Sequence, residues 1–243
     1  MNAFRLKLIT KLLCVFIFSL FFGQNVNAQF GKASKVKLPA TYDFDYIYKL
    51  KMTNKKDDFN MSYYLSEDGE YFGFDASEMA KGKKQDGEMF MVMDSELSVS
   101  SMFMEMMGKK IVQKTKLKLG DIANKANQEN EMKFEQIDSK TILGYECEGF
   151  IGEDSKSKVT FYVTDDAPVS FNNIWGANPK TMPKNMDASW IDKYAENGLM
   201  MMMIYEDKKK SKNNITMECI AVEEKEYTIN TSEYGGMFSA FGN

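Results

Sequence analysis

Sulfur is the element in this chain that could do chemistry. The 243 residues include 20 methionines, clustered at Met89, Met91 and Met93, at Met102, Met104, Met106 and Met107, and over Met200 to Met203. A Met-x-Met spacing puts thioethers on one face of a strand, where soft sulfur suits Cu(I). Methionine is equally a flexible filler of irregular apolar space, and it can line a cavity for a variable apolar ligand. Core, ligand wall and copper site therefore stand side by side. Copper is the weakest of the three, because imidazole partners are missing and strand alternation produces the spacing unaided.

The other chemistry-bearing types exclude more than they offer. No histidine is present, which removes the Ser-His and Cys-His nucleophile pairs and the usual zinc or copper imidazole sites. Arg5 is the sole arginine and lies in the leader, so no bidentate fork for phosphate or carboxylate remains in the exported chain. The carboxylate pairs Asp43/Asp45, Asp57/Asp58, Asp165/Asp166 and Glu223/Glu224 read as solvated strand faces or loops. Asp165 and Asp166, with Glu153 and Asp154, lack the spacing of a calcium loop. The expectation is a protein that is not an enzyme, with no cofactor, no metal and no nucleic-acid partner.

Arg5, Lys7 and Lys11, the apolar run Leu12 to Phe22, and Val26-Asn27-Ala28 have the pattern of a secretory signal peptide over 1–28, cleaved near Ala28. The run falls short of the roughly 20 residues that cross a bilayer, so the protein is read as exported to the periplasm or cell surface and not membrane-spanning. Cleavage takes the net charge from −4 to −7. A lead-in over 29–41, one domain over 42–231 and a flexible tail over 232–243 follow.

Period-two alternation dominates that domain. Tyr42, Phe44, Tyr46, Tyr48, Leu50 and Met52 share a parity in the longest strand. Leu143, Tyr145, Cys147 and Ile151 share one on the first arm of a two-stranded unit spanning Lys140 to Asp166, and Val159, Phe161 and Val163 share one on the second. Leu97 to Glu105 fits either strand or helix spacing, and its β-leaning residues favour strand. Ile215 to Val222 and Tyr227 to Thr231 read as two separate strands. A single helix is expected over 187–197, capped by Asp187 or Ser189, with Trp190, Ile191 and Tyr194 on one face. With about ten short strands and no βαβ alternation, the class is mainly β. An antiparallel curved sheet forms an open half β-barrel, and the short helix is placed as a lid.

The expected ligand-lining set is Tyr42, Phe44, Tyr46, Tyr48, Met61, Tyr63, Met89, Met91, Met93, Tyr145, Phe161 and Met202. Cys147 and Cys219 both fall on apolar parities, and an exported protein with an even pair is expected to bridge them. Two buried thiols are the alternative.

The motifs Ile142-Leu143-Gly144-Tyr145-Glu146-Cys147 and Val159-Thr160-Phe161-Tyr162-Val163-Thr164, with Met91 to Asp94, resemble a family of exported bacterial proteins catalogued as domain of unknown function 4412. Asn-Ala before Gln29 is similar to the signal endings of Bacteroidetes-type bacteria. The strand pattern is also similar to that of the periplasmic Lol lipoprotein carriers. That resemblance implies an open half-barrel holding acyl chains beneath a helical lid. The carriers' arginine at the mouth has no counterpart here, so the resemblance implies generic lipid binding more than lipoprotein transfer. The resulting expectation is a non-enzymatic exported protein that binds a lipid, acyl chain or other apolar small molecule. The alternative is a cell-envelope module with a solid core and a protein partner.

Overall fold

The structure is a computed structural model describing residues 35–76, 89–117, 133–170, 194 and 197–236. Its strands are β1 (Thr41–Asn54), β2 (Asp58–Leu65), β3 (Tyr71–Asp75), β4 (Met89–Asp94), β5 (Val99–Met106), β6 (Lys109–Lys116), β7 (Lys133–Ile142), β8 (Tyr145–Glu153), β9 (Ser157–Thr164), β10 (Leu199–Asp207), β11 (Ile215–Asn230) and β12 (Gly235–Gly236). They form one 12-stranded sheet in the order β12-β6-β5-β4-β3-β2-β1-β11-β10-β9-β8-β7. The first six strands make one meander and β7 to β11 a second. The two longest strands, β1 and β11, pair antiparallel and join the meanders. Only β12 against β6 is parallel among the described pairs, and β12 and β7 are the two edges. The α-helix expected over 187–197 falls outside the described residues apart from Tyr194 and Asn197.

Three expectations change. The two strands read at 215–222 and 227–231 are one strand, because Glu223 and Glu224 pair with Ile47 and Tyr46, and after a register shift at Lys225 and Glu226 the pairing resumes at Tyr227 opposite Phe44. Lys140 to Asp166 holds parts of three strands, because β7 and β8 turn at Leu143-Gly144. Leu143 has φ 52° and is half exposed, so it lies in a hairpin tip and not on an apolar stripe. The segment 97–105 is mostly strand β5, with Leu97 in the preceding turn.

A further change matters most for function. Tyr42 and Phe44 do not face the same way as Tyr48. Tyr48 lies opposite Tyr63 across the β1·β2 ladder, whereas the Phe44 ring packs edge-on against Tyr64, with centroids 6.2 Å apart. Consecutive strand residues point to opposite faces, so Phe44 and Tyr48 do too. The cause is a break in the β1·β11 register between Phe44 and Tyr46, since a one-residue slip reverses which face a side chain takes.

The two faces therefore carry separate buried clusters among the described residues. Tyr42, Phe44, Phe90, Val92, Phe103, Val112 and Ile229 form an aromatic cluster. Tyr42 and Phe103 approach to 6.2 Å although their strands are four apart, so the sheet bends sharply towards this face. Gly73 makes the packing possible: a Cβ there would lie 2.6 Å from Phe90 Cζ and 3.1 Å from Phe44 Cζ. The Tyr42 hydroxyl donates to the buried Asp94 carboxylate at 3.0 Å, and the other Asp94 oxygen accepts from the Leu97 N–H at 2.7 Å. Burial first, and the Asp94 charge second, hold the Tyr42 phenol far above its ordinary pKa.

Candidate functional site

The opposite face gathers most of the buried methionines, and the cluster built around it, 21 buried residues, includes nine: Met52, Met61, Met91, Met93, Met200 to Met203 and Met217. Two cross-strand rows organise the face, since directly opposed residues share a side. One runs Tyr48, Tyr63, Phe74, Met91, Met102 from β1 to β5. The other runs Met52, Met217, Met203, Phe161, Phe150 from β1 to β8. Tyr48, Leu50 and Met52 join the two rows on the central strand.

A bulge opens the backbone beside this face. β10 pairs with β9 at Met200 and Met202 but skips Met201, and its pairing with β11 begins only at Met202. The fully buried Tyr48 hydroxyl donates to the Met200 carbonyl, satisfying an acceptor near the start of β10, where no β11 partner is paired. Desolvation keeps that phenol well above its ordinary pKa. Two other hydroxyls donate to sulfur: Tyr63 to Met61 Sδ at 2.9 Å and Ser100 to Met91 Sδ at 3.0 Å. Thioether sulfur is a weak acceptor.

The expected lining residues divide accordingly. Tyr48, Met61, Tyr63, Met91 and Met93 are buried on the methionine-rich face, and Tyr46, Met89, Tyr145 and Phe161 pack on it partly exposed. Tyr42 and Phe44 belong to the aromatic cluster. Met202 is buried in the methionine cluster, yet Met203 is the residue standing in the row. Met202 lies opposite Glu218 and Tyr162, with its sulfur 3.7 Å from the Lys140 ammonium, which also sits 5.8 Å over the Tyr162 ring. Leu50, Met203, Met217 and Phe150 were absent from the expected set; parity with neighbouring apolar residues was the available signal for the first three, whereas Phe150 shares its parity with Glu146 and Glu148.

Of the lid residues, Trp190 and Ile191 lie outside the described residues. Tyr194 is buried against Phe150, ring centroids 6.1 Å apart, at the β8–β9 end of the face. Phe150 in turn stacks on Phe161 at 5.3 Å.

The expected disulfide is not formed. Cys147 and Cys219 are free, buried thiols. Their strands, β8 and β11, are separated by β9 and β10, and a bridge needs Cα atoms within about 7 Å. Each sulfur instead lies against a carbonyl of its own strand, Tyr145 O at 3.4 Å and Ala221 O at 3.5 Å. Burial raises both thiol pKa values, that of Cys219 to about 12.

Among the described residues no three Cys, Asp or Glu side chains converge as a metal set, and no helix is long and apolar enough to cross a membrane. Three methionine sulfurs face hydroxyl or ammonium donors, an arrangement that disfavours a shared cation. The site is an apolar, sulfur-rich face.

Fold and site together define a mainly β protein built on one 12-stranded, mostly antiparallel sheet with a methionine-lined apolar side. The chain belongs to the DUF4412 family, a domain of unknown function, which matches residues 44–233. No curated protein matches it. Likenesses to solved structures are distant. PNGF-II has a TM-score of 0.41 at 10% identity, covering 79% of this chain and 30% of its own, so the chain spans about a third of that protein. MucB in complex with MucA(peri) has a TM-score of 0.32 at 2% identity, covering 74% of this chain and 50% of MucB. The LolA superfamily protein NE2245 from Nitrosomonas europaea has a TM-score of 0.27 at 10% identity, with 81% and 91% covered.

Proposed function

We propose that this is an exported, non-enzymatic envelope protein, periplasmic or at the cell surface, that holds an apolar ligand against its methionine-lined face. The ligand class is a lipid or single acyl chain. The observation that carries the reading is segregation: nine buried methionines lie in one cluster, and the aromatic cluster built from the same sheet has none. Unbranched thioether side chains change rotamer with little steric conflict and adapt to variable apolar shapes. The two flanking meanders act as the walls of an open half-barrel. Tyr194, packed on Phe150 at one end of the face, is in place to act as a lid residue.

The mechanism is sequestration and release without a covalent step. Methionines move aside, the acyl chain takes their contacts, and Tyr48 keeps the Met200 carbonyl satisfied throughout. Each buried methylene contributes about 0.8 kcal/mol, so roughly eight offset a substantial part of the ordering cost of binding.

A second reading, a solid-cored interaction module, is favoured by the complete burial of Tyr48, Leu50, Met201 and Leu199 within the face. Organic extraction and mass spectrometry of protein purified from its native host separates the two. The carrier reading expects a co-purifying lipid at near-stoichiometric amount; repeatedly empty preparations would leave the solid module.

A further inference from the structure

Strand β8 is longer than the ladder that joins it to β9. Its pairs with β9 cover Glu148 to Glu153, whereas its pairs with β7 continue through Lys140↔Cys147, Thr141↔Glu146 and Ile142↔Tyr145. Those three pairs and the Leu143-Gly144 turn therefore project past the last β8·β9 pair, by roughly 10 Å at about 3.3 Å per residue. β7 is an edge of the sheet, so no described strand pairs with this tip from the other side either.

Side chains hold the projecting tip in place. Ile142 and Cys147 are buried in the methionine cluster, and Tyr145 packs against it. The Lys140 ammonium lies against Met202 Sδ and over the Tyr162 ring. The turn adds little, since Leu143 is 51% exposed at φ 52° and Gly144 follows at 89°. Within the hairpin the Ser139 hydroxyl donates to Glu146 at 3.4 Å, which ties its two arms to each other.

The base of the tip is suited to bending. Between Ile137↔Gly149 and Lys140↔Cys147 the register shifts, which leaves Asp138 and Ser139 against Glu148 alone. A bulge of this kind disrupts the ladder locally and bends the strand. Gly149 lies close beneath it: a Cβ there would stand 2.8 Å from the Asp138 carbonyl oxygen and 2.7 Å from Ile137 Cγ1. Asp138 and Ser139 are exposed, so their dihedral angles can change without disturbing buried packing.

We propose that the tip, Lys140 to Cys147, is a flap that swings about the Asp138-Ser139 bulge and admits the apolar ligand to the methionine cluster. The inference rests on the ligand-binding reading above and adds the route of entry. The closed form is the resting state, as the complete burial of Cys147 shows. Opening lifts Ile142, Tyr145 and Cys147 off the cluster and breaks no described ladder with the rest of the sheet, because the tip pairs with itself. Openings of this sort draw on the least-paired parts of a fold.

Stopped-flow binding of a fluorescent long-chain fatty acid to the full exported protein tests this, with hydrogen exchange read on the ligand-free protein. Ile142→Ala removes buried contacts of the closed form and should raise the open population on the order of tenfold. Association and dissociation then quicken by the same factor and leave the Kd unchanged, because a gate alters passage and not the bound state. Lys140→Gln, an exposed position, does the same by about twofold through the lost cation–π contact. Ile151→Ala, in the part of β8 that pairs with β9, leaves both rates alone. Amides from Thr141 to Cys147 should exchange faster in Ile142→Ala, while those from Phe150 to Gly152 keep their rates. Binding with both rates unmoved by Ile142→Ala and Lys140→Gln, or with dissociation alone quickened, overturns the flap and leaves the ligand reading standing. No fatty-acid binding by any of the proteins overturns the ligand reading and the entry route with it.

Discussion

The aromatic cluster around Phe44 and the methionine-rich face around Tyr48 draw on several of the same strands, yet they are held differently. In the first, rings meet at defined angles: Phe44 on Tyr71 at 5.4 Å and 89°, Tyr64 on Phe90 at 5.0 Å and 69°. A glycine accommodates them, and a buried carboxylate anchors Tyr42. In the second, side chains with three rotatable bonds fill the space, and buried hydroxyls turn to sulfur. Edge-to-face ring pairs reward one geometry; thioethers accept many. The first region bends the sheet, and the second is the one proposed to take a guest.

Substitutions should expose that contrast. Phe44→Ala is expected to cost about 3–5 kcal/mol, as for other buried Phe truncations, read as a lowered denaturation midpoint. Gly73→Ala drives a Cβ into the Phe90 and Phe44 rings and should cost about 1–3 kcal/mol through overpacking. Met203→Leu, on the adaptable side, should cost under about 1.5 kcal/mol. If Met203→Leu proved as damaging as Phe44→Ala, the two regions would be equally rigid and the distinction would fail.

Alkaline titration samples both regions at once. Tyr42 and Tyr48 have folded-state pKa values raised above the unfolded value near 10, chiefly by burial. Their contribution to stability is complete below about pH 10 and is lost as pH rises towards the folded values. Unfolding followed by circular dichroism should therefore coincide with the appearance of tyrosinate absorbance from these two residues. Tyrosinate appearing gradually, well before unfolding, would mean that one of the regions is open to water. The smallest effect concerns the thiols. With Cys219 raised to about 12 and Cys147 raised as well, native protein at pH 8 should resist iodoacetamide and take up two labels once denatured. Rapid labelling of the native protein would show the methionine-rich face opening on its own.

Much of the sheet was legible in the residues themselves, because strands such as β1 and β9 alternate cleanly and their turns are polar. The reversal of Phe44 relative to Tyr48 was not. The even-numbered aromatics run unbroken through Tyr42, Phe44, Tyr46 and Tyr48, and the register break depends on how β11 passes them. Glu223 to Glu226 separated two expected strands because four polar residues in a row carry no period, yet they stay within β11, exposed. The Leu143-Gly144 hairpin was hidden for a related reason, since a leucine at positive φ breaks the usual turn chemistry. Methionine as the defining residue of the candidate face was visible from composition. Which methionines share a row needed the strand register.

The central claim is that the methionine-lined face, and not the aromatic cluster, takes an apolar guest. Methyl-labelled methionine NMR during titration with a saturated fatty acid tests it most directly, with exposed Met107 as the internal reference. The expected result is saturable shifts at Met61, Met91, Met203 and Met217, with Met107 unmoved. Methionine signals that stay fixed at every ratio, or shifts confined to Met107, would contradict it.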